Sequence, residues 1–347
     1  MPAHQLATTV TRAGVPADAL TAAVHSVLAG TPLAETAAQH GLTSADLDDA
    51  VETYCQAGAT ALYDRTADAG WWQAHLEFAD WAHAENIAAT CLEPHLRSWC
   101  ANGLLDAWWF IRKAPCWRLR LRTHLANKTD TPTTTVAALF DQLVDAGHLL
   151  RWCPTHYEPE ALAFGGPVGI AIAHDLFSAD SANLLEYLRA DEHPLGRREL
   201  SLLLCTGLFR AAGLEWYEAG DVWHRVTCLR SDPNHTSTDH GHHTTLSRQL
   251  RTLLTYDTRP AGPIFGPDGA IAALRPWAKA FHNAGHALAA AANQASLHRG
   301  LRATLAHHVI FHWNRLGLDA ATQHALAHAA TTAILQPSEE DRRATSR

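Results

Sequence analysis

The stretch Trp108-Trp-Phe-Ile-Arg-Lys-Ala-Pro-Cys-Trp-Arg-Leu-Arg-Leu-Arg122 decides the fold class. Aromatic and β-branched residues on either side of Lys113-Ala-Pro-Cys116 read as two strands joined by a turn. Successive strand side chains point to opposite faces, so Arg118, Arg120 and Arg122 share one face at a spacing of about 6–7 Å, with Leu119 and Leu121 beneath. Three like charges in a row repel. Either solvent and neighbouring acids screen them, or an anion sits there, and planar guanidinium groups grip carboxylates in bidentate fashion. Trp108, Trp109, Phe110 and Trp117 flank the run and are expected to wall a cleft.

Outward from this pair, Trp71–Asp80 alternates large apolar with polar residues and His148–Pro154 reads as a further strand. Helical periodicity covers the stretch up to Trp99, Val136–Ala146, Val168–Phe177, Ser181–Ala190, Arg197–Ala212, Trp216–Leu229, Leu246–Tyr256, Ala270–His298, Leu301–Arg315 and a last helix ending at Leu335. Residues 17–63 form three or more short helices, with Thr43-Ser44-Ala45-Asp46 as an N-cap signal. Strands early and helices late predict an α+β fold: a small, mainly antiparallel sheet, a large helical portion and an N-terminal helical extension. The expected divisions are residues 1–70 as that extension, for docking or leader-peptide contact, 71–336 as the main domain, and 337–347 as a frayed tail.

The whole chain has 347 residues, 47% hydrophobic and 18% charged, which excludes disorder over most of its length. Its net charge is −8, and arginine supplies 24 of the 27 basic residues without forming a basic block. Leu33–Leu47 resembles a helix-turn-helix, but residues 1–70 carry two basic and eight acidic side chains, so DNA is not the expected partner. No stretch reaches 18 apolar residues, and Met1–Val10 lacks the pattern of a secretory signal. Seven cysteines without a Cys-x-x-Cys pair read as reduced thiols of a cytoplasmic protein.

Near the C-terminus, His307-His308-Val-Ile-Phe-His312-Trp-Asn314-Arg315 places His308, His312 and Arg315 on one helix face. Such a face can present a general acid or base beside a cation; alternatively its imidazoles satisfy buried backbone groups. Zinc needs a third ligand that the pattern lacks, so no metal is expected. The histidines between His235 and His243 read as a solvated loop, and Trp216, Tyr217 and Trp223 as core or a peptide-contact surface. The chain holds no Gly-x-Gly-x-x-Gly, phosphate loop or Gly-x-Ser-x-Gly elbow, and no motif implies a cofactor.

Four segments in order, Trp108–Arg122, Tyr157-Glu-Pro-Glu-Ala-Leu-Ala-Phe-Gly-Gly166, His174-Asp-Leu-Phe-Ser-Ala-Asp-Ser181 and His308–Leu318, resemble the motifs of the thiopeptide-type bacteriocin biosynthesis domain. That domain is the C-terminal, glutamate-eliminating part of class I lantibiotic dehydratases and also occurs alone. The resemblance covers about Trp71 to Leu335. It implies a lyase that matures a ribosomally made precursor peptide: a partner dehydratase subunit glutamylates Ser or Thr from glutamyl-tRNA, and this domain then expels glutamate to leave dehydroalanine or dehydrobutyrine. By motif position Arg120 and Arg122, with His312 or His308, carry catalysis. Arg118, Arg315, Asn314, Trp109, Trp117, Tyr157, Gly165 and Gly166 line the substrate. Ala163 replaces an arginine and Ile310 a histidine often found in eliminating members. Two alternatives therefore stay open: a pyridine synthase joining two dehydroalanines with loss of the leader peptide, and a non-catalytic docking partner.

Overall fold

The computed structural model describes residues 15–67, 70–123, 131–190, 192–231 and 249–336. The expected histidine-rich loop and C-terminal tail lie outside these residues. The chain divides into two compact units, Met1–Ala67 and Asp68–Arg347. In the first, helices Ala17–Leu28, Leu33–His40 and Ser44–Ala67 bury Ala23, Val24, Ala37 and Leu47 in a small core of their own. Thr43 caps the third of them by accepting from the Asp46 N–H at 3.1 Å.

The second unit is built on four antiparallel strands, β1 (Trp71–Phe78), β2 (Leu105–Lys113), β3 (Cys116–Thr123) and β4 (Leu149–Thr155), in the order β2-β3-β1-β4. The fold is α+β. Lys113 pairs with Cys116, so the β2–β3 turn is tight, and this sets every cross-strand partner: Ile111 opposite Arg118, Trp109 opposite Arg120, Ala107 opposite Arg122. On the other side of β3, His75, Gln73 and Trp71 of β1 oppose the same three arginines.

Strand alternation then divides the sheet into two chemically different faces. Ala74, Leu76, Phe78, Trp108, Phe110, Trp117, Leu119 and Leu121 enter the large core. The arginines go to the opposite face with Trp109 and Ile111, which join Tyr157, Phe164, Ile170, Ala173 and Phe177 in a second, smaller cluster. Of the four aromatics expected to wall the cleft only Trp109 does so: Trp108, Phe110 and Trp117 lie on the far side of the sheet. Trp117 is buried there, stacked on Phe110 at 4.5 Å between ring centres and under the Arg112 guanidinium at 4.7 Å.

The helix expected to break between Phe177 and Ser181 instead runs unbroken from Gly166 to Arg189. Nothing in Ser178-Ala-Asp180 removes a backbone donor, Ser178 donates back to the His174 carbonyl at 2.9 Å, and Asp180 is buried inside the fold rather than turned to water. Conversely, the helix expected over Ala270–His298 is shorter, Arg275–Asn293, because Pro276 fits only in a first turn and Ala295 takes φ 53° just past the end. Helices Glu93–Ala101, Thr131–Asp145, Arg197–Ala211, Trp216–Leu229, Leu301–Leu316 and Ala320–Leu335 also belong to the unit. Glu85 ties three elements together by accepting from Arg112 of β2 and from Arg197 at the head of its helix.

Candidate active site

Arg120 sits in the middle of its sheet face and is only 3% exposed. Its guanidinium carbon lies 4.1 Å from the centre of the Trp109 ring and 5.0 Å from that of Tyr157, so two aromatic faces frame it. Nε and Nη1 are buried and have no hydrogen-bond partner. Burial pushes its pKa down to about 10, with Arg118 and Arg315 acting in the same direction while Tyr157 and Glu160 oppose them. Arg120 is still a cation at neutral pH, and it has no ion-pair partner among the described residues. A buried charge with unused donors is costly in an empty site and suits an anionic ligand. Arg118 and Arg122 are half-buried on either side, and Arg122 lies 5.5 Å from the Trp71 ring.

The lid over this face is the first half of the Gly166–Arg189 helix. Gly165 and Gly166 start it with φ of +91° and +87°, a turn that favours glycine, and a Cβ on Gly166 would fall 2.6 Å from the His298 ring. These two glycines therefore shape the backbone that brings the helix onto the sheet. Tyr157, on the segment after β4, meets the helix through a 2.8 Å hydrogen bond between its hydroxyl and His174 Nε2. The His174 ring also packs 4.8 Å from Trp71 and 6.1 Å from Trp109. Burial, then Arg122 and Arg120, push the His174 pKa down to about 3, so the imidazole is neutral. The sequence shows the motif containing His174, but nothing in its spacing gives that residue a role.

The histidine-bearing helix Leu301–Leu316 approaches from behind. Phe177 forms the partition: Trp109 packs on it at 4.8 Å, and the Arg315 guanidinium lies 4.4 Å from its ring centre. His308 and His312, expected beside the arginines, are each 1% exposed in this rear layer. His312 Nδ1 bonds Asp180 at 2.9 Å, Arg315 Nε bonds the same carboxylate at 2.6 Å, and Trp277 Nε1 bonds it at 2.7 Å. Asp180 is fully buried; burial works to raise its pKa, yet His312 and Arg315 outweigh that and hold it below the usual carboxylate range. Asn314 faces elsewhere and accepts from Gln323 and Arg230 at 2.9 and 3.3 Å. The sequence thus grouped residues that the fold separates into a front layer, Arg118, Arg120, Arg122, Trp109 and Tyr157, and a rear layer, His308, His312 and Arg315.

His308 has a measurable consequence. Its two ring nitrogens are buried without partners, and burial, then Arg315 and His307, push its pKa down to about 3. The unfolded chain binds a proton near pH 6.5 that the folded state refuses until about pH 3. The neutral-state contribution is therefore full above pH 6.5 and lost progressively as pH falls towards 3, with a slope of up to about 1.4 kcal/mol per pH unit. Denaturant titrations at pH 7, 6 and 5 should show stability falling, and His308→Leu should flatten that dependence. An equal slope in the variant would show that His308 is solvated.

No group of three or more potential metal ligands occurs among the described residues, and no described helix is long and apolar enough to cross a membrane. A cavity of about 240 Å³ lined by Phe209, Trp216, Trp223 and Leu254 shares no residue with the arginine cluster.

Residues 71–334 match the family model described as lantibiotic biosynthesis dehydratase C-term. Among solved structures, the tRNA-dependent lantibiotic dehydratase MibB from Microbispora sp. 107891 is 19% identical with a TM-score of 0.57, over 81% of this chain and 29% of that one. TsrL is 18% identical with a TM-score of 0.51, covering 79% of this chain and 96% of its own. The pyridine synthase TbtD from thiomuracin biosynthesis is 14% identical with a TM-score of 0.49, covering 76% and 97%. At such identities the likeness is one of fold, and this chain spans less than a third of MibB. No curated protein sequence matches it.

Proposed function

Because the chain belongs to the lantibiotic biosynthesis dehydratase C-terminal family, we propose that it matures a ribosomally made peptide by expelling glutamate from glutamylated Ser or Thr. The products are dehydroalanine and dehydrobutyrine. The observation that supports this reading is Arg120, a buried cation with two unused donors between Trp109 and Tyr157. Anionic oxygens of a ligand placed against Nε and Nη1 would satisfy those donors, and the same positive field favours the negative charge that develops on a departing glutamate. Arg122 and Arg118 extend the grip along the strand. Gly165 and Gly166 hold the helix that closes the site, while His312 and Arg315, locked on Asp180, support its rear wall through Phe177.

In this reading residues 71–336 form the eliminating domain, the N-terminal helices contact the precursor's leader, and a separate dehydratase subunit supplies the glutamylated peptide. The protein works in the cytoplasm without a cofactor. Pyridine formation is the second reading. Ala163 and Ile310 stand where eliminating relatives often carry arginine and histidine, and joining two dehydroalanines depends on a shaped site more than on a strong base.

Two substrates separate the readings. A peptide bearing glutamyl-serine esters should lose glutamate and end as dehydroalanine by mass. If that peptide is untouched while one bearing two dehydroalanines gains a six-membered nitrogen heterocycle, the second reading replaces the first. If neither is converted, only docking is left.

A further inference from the structure

Elimination needs a group that removes the α-proton, and both histidines expected for that task lie in the rear layer beyond Phe177. We propose that His174 takes this proton and that Tyr157 fixes the tautomer in which it does so; the inference rests on the elimination reading above. Among the described residues His174 is the one imidazole packed directly among Trp71, Trp109 and Tyr157, the residues that also frame Arg120 and Arg122. When Nε2–H donates to the Tyr157 hydroxyl, Nδ1 carries the lone pair. The step balances without a further reactant. Nδ1 removes the α-proton, the electron pair forms the Cα–Cβ double bond, the Cβ–O bond breaks, and glutamate leaves with its new α-carboxylate in the field of the arginines while its side-chain carboxylate stays on Arg120. The imidazolium then returns its proton to solvent.

The groups facing His174 also make the base respond to its substrate. Arg120 and Arg122 of β3 press on it electrostatically, Tyr157 bonds it from the segment after β4, and Asp175 beside it on the helix lies within the field of Arg122. With the site empty, both arginines disfavour the imidazolium. Burial is the larger cause of the low basicity and persists, but a carboxylate bound to the arginines cancels their part, so the ring is a stronger base when the leaving group is in place. This order suppresses proton abstraction from unmodified peptide.

The test follows elimination from a glutamyl-serine ester peptide by wild type, His174→Gln and Tyr157→Phe. His174→Gln should lower kcat by about 10²–10⁴-fold with little change in KM, because it removes the base and leaves the arginines. Tyr157→Phe should shift the midpoint of the pH–rate profile while retaining turnover. Wild-type kcat in His174→Gln overturns the proposal. If that variant lacks a cooperative melt, Tyr157→Phe decides: an unchanged pH–rate profile overturns it. A wild-type protein that eliminates nothing sinks the underlying reading, and the inference with it, which distinguishes the two failures.

Discussion

Replacing Asp180 with Ala is expected to remove most of the stability of the C-terminal unit. The carboxylate is fully buried and accepts from Trp277, His312 and Arg315, which come from two helices other than its own. Its loss strands the Arg315 guanidinium, itself 0% exposed and already holding unpartnered Nη1 and Nη2 atoms, against the Phe177 ring. Breaking a buried pair in this way costs about 3–5 kcal/mol. The orphaned donors of Trp277 and His312 add about 1–3 kcal/mol each. Whole domains of this kind hold together by about 5–15 kcal/mol. The denaturation midpoint of Asp180→Ala should therefore collapse, and Asp180→Asn should recover only part of it, since an amide keeps the shape but presents donors to donors. A wild-type midpoint in the alanine variant would mean that the three-way junction is not formed.

Arg120→Met should behave in the opposite sense, with stability held or raised and activity lost. Methionine fills a similar volume without a charge, and replacing a buried, unpaired cation by an apolar side chain is neutral or stabilising by about 1–4 kcal/mol. The cation–π contact with Trp109 at 4.1 Å offsets part of that gain, about 1–2 kcal/mol. Melting at or above the wild-type temperature is the expected result. Elimination should fall by about 10²–10³-fold, the scale on which a single preorganised charge stabiliser contributes. The pairing of the two outcomes is diagnostic, because a residue kept for packing would lose both together. A destabilised variant that still eliminates at the normal rate would contradict this role.

The sheet was legible because its information is local. Alternation in Trp117–Arg122 put the three arginines on one face, and the short turn at Lys113–Cys116 fixes the register that sets Trp109 opposite Arg120. The same register already sends Trp117 to the other face, so its expected place beside the arginines overlooked a rule that the sequence itself supplies. His174 and Asp180 are different. Both lie on the stripe formed by Ile170, Ala173, Phe177 and Leu184, where polar residues look like a helix break. Only tertiary partners, Tyr157 for one and the Trp277, His312 and Arg315 donors for the other, show why they are buried. Spacing also joined Asn314 to its histidine neighbours, although helical rotation turns it towards Gln323 and Arg230.

The direct measurement is binding of two peptides that differ by one group: a diaminopropionate residue carrying an amide-linked glutamyl, and its glutaminyl counterpart. The amide link prevents turnover, and the glutamine amide keeps the shape while removing the charge. Wild type should favour the carboxylate by about 10–100-fold, the range for hydrogen bonds to a charged group. Arg120→Met should bind the two alike. Equal affinities in the wild type, or a preference that survives in Arg120→Met, would contradict the account.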